Sequence, residues 1–457
     1  MYANALYKNA PIVLQSGLIS LRAFARKMMR EGRRFERQLE EIERTQYLSS
    51  DALASWHEAM LGKLLSHAVQ HVPYYRELGL AGLVAKARPA EALAAFPIID
   101  KAIVREHGAR FMADNASRPL FKGSTSGTTG TPLTLYQDLG AINRENAFIW
   151  RQLEWAGLKR GERRAWLRGD LVVPVGQERP PFWRMNHAEN MLMFSPCHLG
   201  EKSVMAYLDA LTKFDPVIIQ AYPSAVSFLA KWLESRNCFF GGSSLKGIVT
   251  SSETLDESLK DIIESRFRCR VFDWYGQFER VAAIGTCQLG TKHLVSDYSY
   301  VELVPSADGL VEIVGTGYNN FAMPLIRYRT GDFILTTESE HCKCGRAMPA
   351  VKRIVGRGDD FIQLRDGRLV GPLNNIMKGI QGILEAQFVL TSSDGIRVMV
   401  VPAENYDDKT SMAIMKSVRD RCGEQLHIDI ETVPSILRSP NGKLRTLIRN
   451  EQQGREG

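Results

Sequence analysis

An α/β fold is predicted by three observations: strand-like and helix-like segments alternate through the middle of the chain, apolar residues are ample, and the length exceeds one small core. The chain has 457 residues, 44% hydrophobic and 24% charged, which excludes a globally disordered protein. Length alone suggests about two to four domains. The alternation is clearest as a helix over 202–214, a strand over 217–220, a helix over 224–235, a strand over 245–250, a helix over 256–267 and a strand over 271–274. Such alternation argues a largely parallel sheet flanked by helices. Ligands of these sheets bind beyond the strand C-termini, so the residues that follow each strand matter most.

Taken in order, residues 1–50 are charged and read as a helical appendage, with Arg and Glu scattered through 23–44. A helical stretch over 51–80 ends at Val72-Pro73-Tyr74-Tyr75-Arg76, and an Ala/Leu-rich region then runs into Phe96-Pro97-Ile98-Ile99-Asp100-Lys101. The run Gly123-Ser124-Thr125-Ser126-Gly127-Thr128-Thr129-Gly130-Thr131-Pro132 follows, between two β-prone segments that read as a hairpin. Glycines let a backbone approach a ligand closely, and consecutive N–H groups with Ser/Thr hydroxyls can hold phosphate oxygens. A Gly/Ser/Thr surface linker is the alternative. The P-loop of ordinary NTPases is excluded, because Thr131-Pro132 stands where that loop carries Lys and Ser or Thr. Asp138 reads as the N-cap of a helix presenting Ile142, Ile149 and Leu153, and 163–168 reads as a strand.

The formal charge of +7, from 58 Lys+Arg against 51 Asp+Glu, is too small for a nucleic-acid-binding stripe. No run of about 18 apolar residues occurs, so membrane insertion is not expected and a cytoplasmic location is the default. Seven cysteines without a visible secretion signal make a disulfide framework improbable.

Thr125-Ser-Gly-Thr-Thr-Gly-Thr-Pro132 resembles the phosphate loop of the acyl-adenylate-forming enzymes, the superfamily of acyl-CoA synthetases and adenylation domains. The segments around Val72 and Pro97 resemble one branch of it, the phenylacetate–CoA ligase and CapK-like proteins. Trp274-Tyr275-Gly276-Gln277-Phe278-Glu279 resembles the family's Tyr-Gly-x-Thr-Glu element, which implies that Tyr275 packs on adenine beside Gly276 and that Glu279 ligates Mg2+. Phe278 departs from the usual Thr or Ser, which puts a hydroxyl contact to the α-phosphate in doubt. Tyr328-Arg-Thr-Gly-Asp332 resembles the ribose-binding element, with Asp332 as its carboxylate. Gly356-Arg357-Gly358-Asp359 resembles the hinge, with Asp359 as pivot and Arg357 as a nucleotide contact. Gly442-Lys443 resembles the catalytic Gly-Lys turn, where a mobile point charge can reach the α-phosphate and carboxylate oxygens.

The resemblance implies a large adenylate-forming domain over 51–358 with mostly parallel sheets flanked by helices, and a small mobile α+β domain over 359–457. It implies ATP-dependent activation of a small carboxylic acid to an acyl-adenylate, with Mg2+, and acyl transfer to CoA. Ser124, Thr125, Ser126, Gly127, Thr128, Thr129 and Gly130 would hold the phosphates, and Tyr222 and Ser252 would line the acid pocket. CapK-like relatives are associated with surface-polysaccharide pathways, so an amine or hydroxyl acceptor is the alternative, and an inactive nucleotide-binding interaction protein is another. Oligomeric state stays open. Separately, Cys287-x5-His293 and Cys342-Lys-Cys344-Gly345 offer a Cys3His set for structural Zn2+, with His341 as a substitute ligand. Buried inert cysteines beside a chance histidine are the alternative.

Overall fold

Strands without an alternating polar face mark the middle of the chain. The computed structural model describes residues 5–125, 133–306, 309–337, 342–357, 362–363, 369–370, 373–377, 379–392, 395–423, 426–439 and 442–449. It divides into two units, one of Met1–Phe24, Ala156–Phe272 and Gly356–Gly457, the other of Ala25–Trp155 and Asp273–Val355.

In the first unit the strands lie in the order Gly247–Ser251, Ile218–Ala221, Arg164–Leu167, Met191–Phe194, Trp183–Asn186. The first four pair in parallel and the last is antiparallel. Ile218–Ala221 and Gly247–Ser251 are buried at every position, as strands covered on both faces are. Helices Val204–Phe214, Pro223–Ser235 and Glu257–Phe267 follow the expected alternation. Asp256 opens the last of these by accepting from Ser258 N–H at 2.9 Å, an N-cap that satisfies an orphan donor. The C-terminal part of this unit is α+β. Its sheet runs His427–Thr432, Gly395–Pro402, Ile383–Ser392, Leu447–Arg449, and helix Asp408–Cys422 buries Ile414 and Val418.

The second unit carries antiparallel structure that the alternation did not anticipate. Ser299–Pro305, Val311–Gly317 and Tyr328–Thr336 form a meander, and Arg270–Gly276, Ala283–Thr286 and Lys292–Leu294 pair antiparallel. The hydroxyl-rich run joins Phe121–Ser124 to Thr134–Gln137 in an antiparallel hairpin, as expected, with Ser124 opposite Thr134. Between residues 5 and 50 the helices are Ala5–Lys8, Ile12–Arg30 and Arg33–Thr45, joined by short turns before the long helix Ser50–His71. Among the described residues no helix is long and apolar enough to cross a membrane.

Asp138 caps helix Leu139–Trp155 through Ala141 N–H at 2.7 Å. The face expected to be buried is corrected: Ile142 and Ile149 are only half-buried, whereas Arg144 and Arg151 join Phe148 and Leu153 inside. The reason is an ion pair. Arg151 donates from Nη1 and Nη2 to Asp297 at 2.6 and 2.9 Å, and both side chains are almost fully buried. The same guanidinium donates to Ile42 O at 2.8 Å, and Thr45 Oγ1 donates to Asp297 at 2.6 Å, so helix Arg33–Thr45 is tied to the same pair. Breaking such a pair leaves a buried charge uncompensated. Asp297→Asn should therefore lower unfolding free energy by about 3 kcal/mol, read from urea denaturation.

Candidate active site

Strand Arg270–Gly276 delivers Tyr275 and Gly276, both of the second unit, at its C-terminal end. Tyr275 Oη donates to Asp332 Oδ2 at 2.7 Å and accepts from Gln277 Nε2 at 2.7 Å. Asp332 sits in strand Tyr328–Thr336 directly after Gly331, whose φ of +71° favours glycine, and its N–H donates to Thr330 Oγ1 at 3.0 Å. Glu279 accepts from Tyr328 Oη at 3.2 Å. Two expected site carboxylates therefore each receive a tyrosine hydroxyl, which fixes their orientation.

Phe278 has a packing role here. A Cβ on Gly123 would lie 2.1 Å from Phe278 Cζ, so the ring lies flush against the hairpin strand that leads into the hydroxyl-rich loop. At the neck of that loop Thr125 N–H donates to Leu133 O at 2.9 Å and Thr125 Oγ1 accepts from Leu133 N–H at 3.1 Å. Ser124 Oγ lies 3.5 Å from Thr134 Oγ1. These two hydroxyls close the hairpin. Ser126, Gly127, Thr128, Thr129 and Gly130 lie outside the described residues, as do His341 and Asp359. Arg357 ends strand Ala350–Arg357, and its side chain is not among those described.

A second group forms within the first unit. Tyr222 stands at the N-terminus of helix Pro223–Ser235 and is buried, and burial pushes its phenol up so that it stays protonated. Ser252 follows strand Gly247–Ser251 with φ +74°, a left-handed conformation that costs a serine energy, and Arg168 Nη2 donates to its Oγ at 2.8 Å. Arg168 also lies over the Tyr222 ring at 5.5 Å, and Lys443 Nζ lies 5.9 Å from the same ring centre. Tyr222, Ser252 and Lys443 are thus gathered around one guanidinium and one phenol.

The lysine turn is held from both sides. Lys443 N–H donates to Ser439 Oγ at 3.1 Å, and Gly442 has φ +76° with no room for a side chain, since a Cβ would meet Pro196 Cγ at 2.7 Å. Leu444 N–H donates to Glu253 Oε1 at 2.9 Å, and Glu253 also accepts from Ser224 N–H at 2.9 Å and Ser224 Oγ at 3.1 Å. Arg438 donates to Ser224 Oγ at 3.1 Å and pairs with Glu385, both nearly fully buried. Burial pushes the Glu385 carboxyl up and Arg438 counters it.

Sequence reasoning missed Arg168, Glu253, Glu385 and Arg438 as individual residues. Glu253 had a local signal, lying next to Ser252 after a strand, but the partners of Arg438 are remote in the chain and carry none.

A third group lies in the second unit. The ligand atoms of Cys287, His293, Cys342 and Cys344 all fall within 4.8 Å of one another. Cys287 and Cys342 sulfurs are 3.8 Å apart, Cys344 Sγ is 3.5 Å from His293 Nε2, and His293 Nδ1 lies 2.9 Å from Met348 O.

Residues 364–450 match the family model of the CapK C-terminal domain. The chain is 25% identical over 452 residues to Protein CapK of Staphylococcus aureus, covering 98% of this chain and 99% of that one. It is 26% identical to a phenylacetate-coenzyme A ligase of Thermus thermophilus, covering 88% and 97% of the two chains. The fold is similar to that of 2-hydroxyisobutyryl-CoA ligase in its postadenylation state with R3-HIB-AMP, at TM-score 0.65 and 20% identity, covering 90% and 92%.

Arg438→Ala would leave Glu385 buried without its guanidinium, at a cost of about 3 kcal/mol. Amide exchange over strand Ile383–Ser392 should accelerate; unchanged exchange would show that the pair does not hold this segment.

Proposed function

We propose that the chain, similar over nearly its whole length to CapK and over most of it to a phenylacetate–CoA ligase, is an acyl-adenylate-forming enzyme that activates a carboxylic acid with ATP. The observation that carries this reading is the strand-end group: Tyr275 bound to Asp332, and Glu279 bound to Tyr328, next to the hairpin of the hydroxyl-rich loop. An aromatic at a strand end can stack a planar base, and an oriented carboxylate beside it can accept ribose hydroxyls. Tyr275 and Asp332 take these roles, Gly276 lets the backbone approach, and residues 124–130 with Arg357 contact the rest of the nucleotide.

In the first half-reaction a carboxylate oxygen of the acid attacks the α-phosphorus, and the bond to the β-phosphate oxygen breaks to release pyrophosphate. Lys443 offsets the negative charge that grows on the α-phosphate oxygens, while its turn, fixed to Ser439 and Glu253, holds its backbone in place. A Mg2+ ion on Glu279 would supply further neutralisation of phosphate charge. Tyr222 and Ser252 line the acid pocket. In the second half-reaction the acceptor attacks the acyl carbon and AMP leaves. CoA is the first choice of acceptor. The similarity to CapK across 98% of the chain favours keeping an amine or hydroxyl acceptor as the second. Asp359, just before the matched segment 364–450, is assigned as the pivot for the change between half-reactions.

The test is acid-dependent exchange of labelled pyrophosphate into ATP over aryl, fatty and hydroxy acids with no acceptor present. Exchange with one acid is the expected result. Absence of exchange with every acid, with ATP bound, would favour a nucleotide-binding protein without turnover. Lys443→Ala should reduce exchange by about 10²–10³ while ATP binding persists. Unchanged exchange would remove Lys443 from the mechanism.

The Cys3His group fits Zn2+. Tetrahedral zinc with bonds of about 2.3 Å to sulfur and about 2.0 Å to nitrogen spaces two thiolates by about 3.8 Å, and a thiolate and an imidazole nitrogen by about 3.5 Å. Cys287–Cys342 and Cys344–His293 have these spacings, and Met348 O faces the remaining ring nitrogen as an outer partner does for a metal-bound histidine. Four protein ligands make the site structural. Elemental analysis should find about one zinc per chain, and Cys344→Ser should lose the metal and lower the unfolding temperature. Metal-free protein of full stability would refute the assignment.

A further inference from the structure

Helix Ile12–Arg30 is inverted relative to an ordinary surface helix. Its inward side is largely polar. Gln15 and Ser16 are buried; Gln15 Nε2 donates to Tyr7 O at 2.9 Å, and its Oε1 accepts from Arg184 Nε. Ser16 Oγ accepts from Met185 N–H at 3.3 Å, and Ser20 Oγ accepts from His187 N–H at 2.9 Å. Of the helix's apolar residues, Ile19 and Ala23 are the fully buried ones.

The outward side is apolar. Val13, Leu14, Leu18, Leu21, Phe24 and Met28 are all exposed, Val13 by 80% and Leu21 by 66%. At about 100° per residue the six share one arc of about 140°. A core would take this face; here the polar face is turned inward and the apolar one is left out, which marks an interaction surface.

Charge identifies what covers it. No Asp or Glu precedes Glu31, whereas Lys8, Arg22, Arg26, Lys27 and Arg30 give five cations against no acids. Arg22 and Lys27, both exposed, fall about 40° beyond the two edges of the apolar arc. Two copies joined through this face would bring like charges together. A bilayer surface with anionic headgroups is complementary in both respects, apolar below and negative at the rim. We propose that this helix lies flat in the interface of an anionic lipid membrane, with the apolar arc among the acyl chains and the flanking cations on the headgroups. The helix has the 19 residues of a short span but four cations within it, which suits lying on a bilayer and not crossing one.

This proposal stands apart from the reaction assigned above, and its test uses the full chain. Co-sedimentation with vesicles of phosphatidylcholine alone is compared with vesicles one-third phosphatidylglycerol. Binding to the anionic vesicles, declining as salt is raised, is expected. Leu14→Glu with Leu21→Glu should abolish it, and Arg22→Gln with Lys27→Gln should weaken it about thirtyfold. The altered leucines are exposed, so an unchanged unfolding temperature checks that these variants fold. Absence of wild-type binding at low salt, or equal binding to neutral vesicles, would overturn the proposal. So would a concentration-dependent dimer that Leu21→Glu dissociates in a chain that ignores vesicles.

Discussion

Glu253 collects hydrogen bonds from two parts of the first unit: the start of helix Pro223–Ser235, through Ser224, and the lysine turn 191 residues downstream, through Leu444. A carboxylate can accept several such bonds at once, and bonds to an ionised acceptor are stronger than neutral ones. The position of Lys443 relative to Tyr222 therefore depends on Glu253, which anchors both the turn and the start of the helix. Ser252, one residue before Glu253, is held in a left-handed conformation and receives Arg168. Strain at one residue and anchoring at the next belong to the same short connection after strand Gly247–Ser251, the end of the sheet at which ligands of parallel sheets bind.

Each unit also contains a buried ion pair with further hydrogen bonds, Arg438 with Glu385 in one and Arg151 with Asp297 in the other. Such pairs add little net stability over apolar packing, because desolvation offsets the attraction. Their value lies in alignment. Arg151 also bonds Ile42 O, and Arg438 also bonds Ser224, so each guanidinium fixes one helix against distant chain and tolerates few other arrangements.

The parallel part of the fold was legible because buried strands and helices alternate there, and the start of helix Leu139–Trp155 in the other unit was legible from its cap at Asp138. The antiparallel meander over Ser299–Thr336 was not, since its strands follow one another without helices and their pairing depends on register. Helix Leu139–Trp155 misled for another reason: its interior is set by Arg151, a residue whose type predicts exposure. In the candidate site, Tyr275, Asp332 and Glu279 stood in short motifs, and Cys287, His293, Cys342 and Cys344, which the structure brings together, stood out by their spacing. Arg168, Arg438 and Glu385 did not, because a side chain that acts through a partner far away in the chain leaves no local pattern.

The contact between Phe278 and Gly123 has an evolutionary meaning. With no room for even a methyl group opposite the ring, the two positions form one heritable unit. A lineage that places a small hydroxyl residue at 278 uncovers Gly123, and one that enlarges 123 must move or lose the ring. Passage between the two forms runs through a poorly packed intermediate, so this branch of sequences is expected to keep its aromatic and its glycine together or to exchange both.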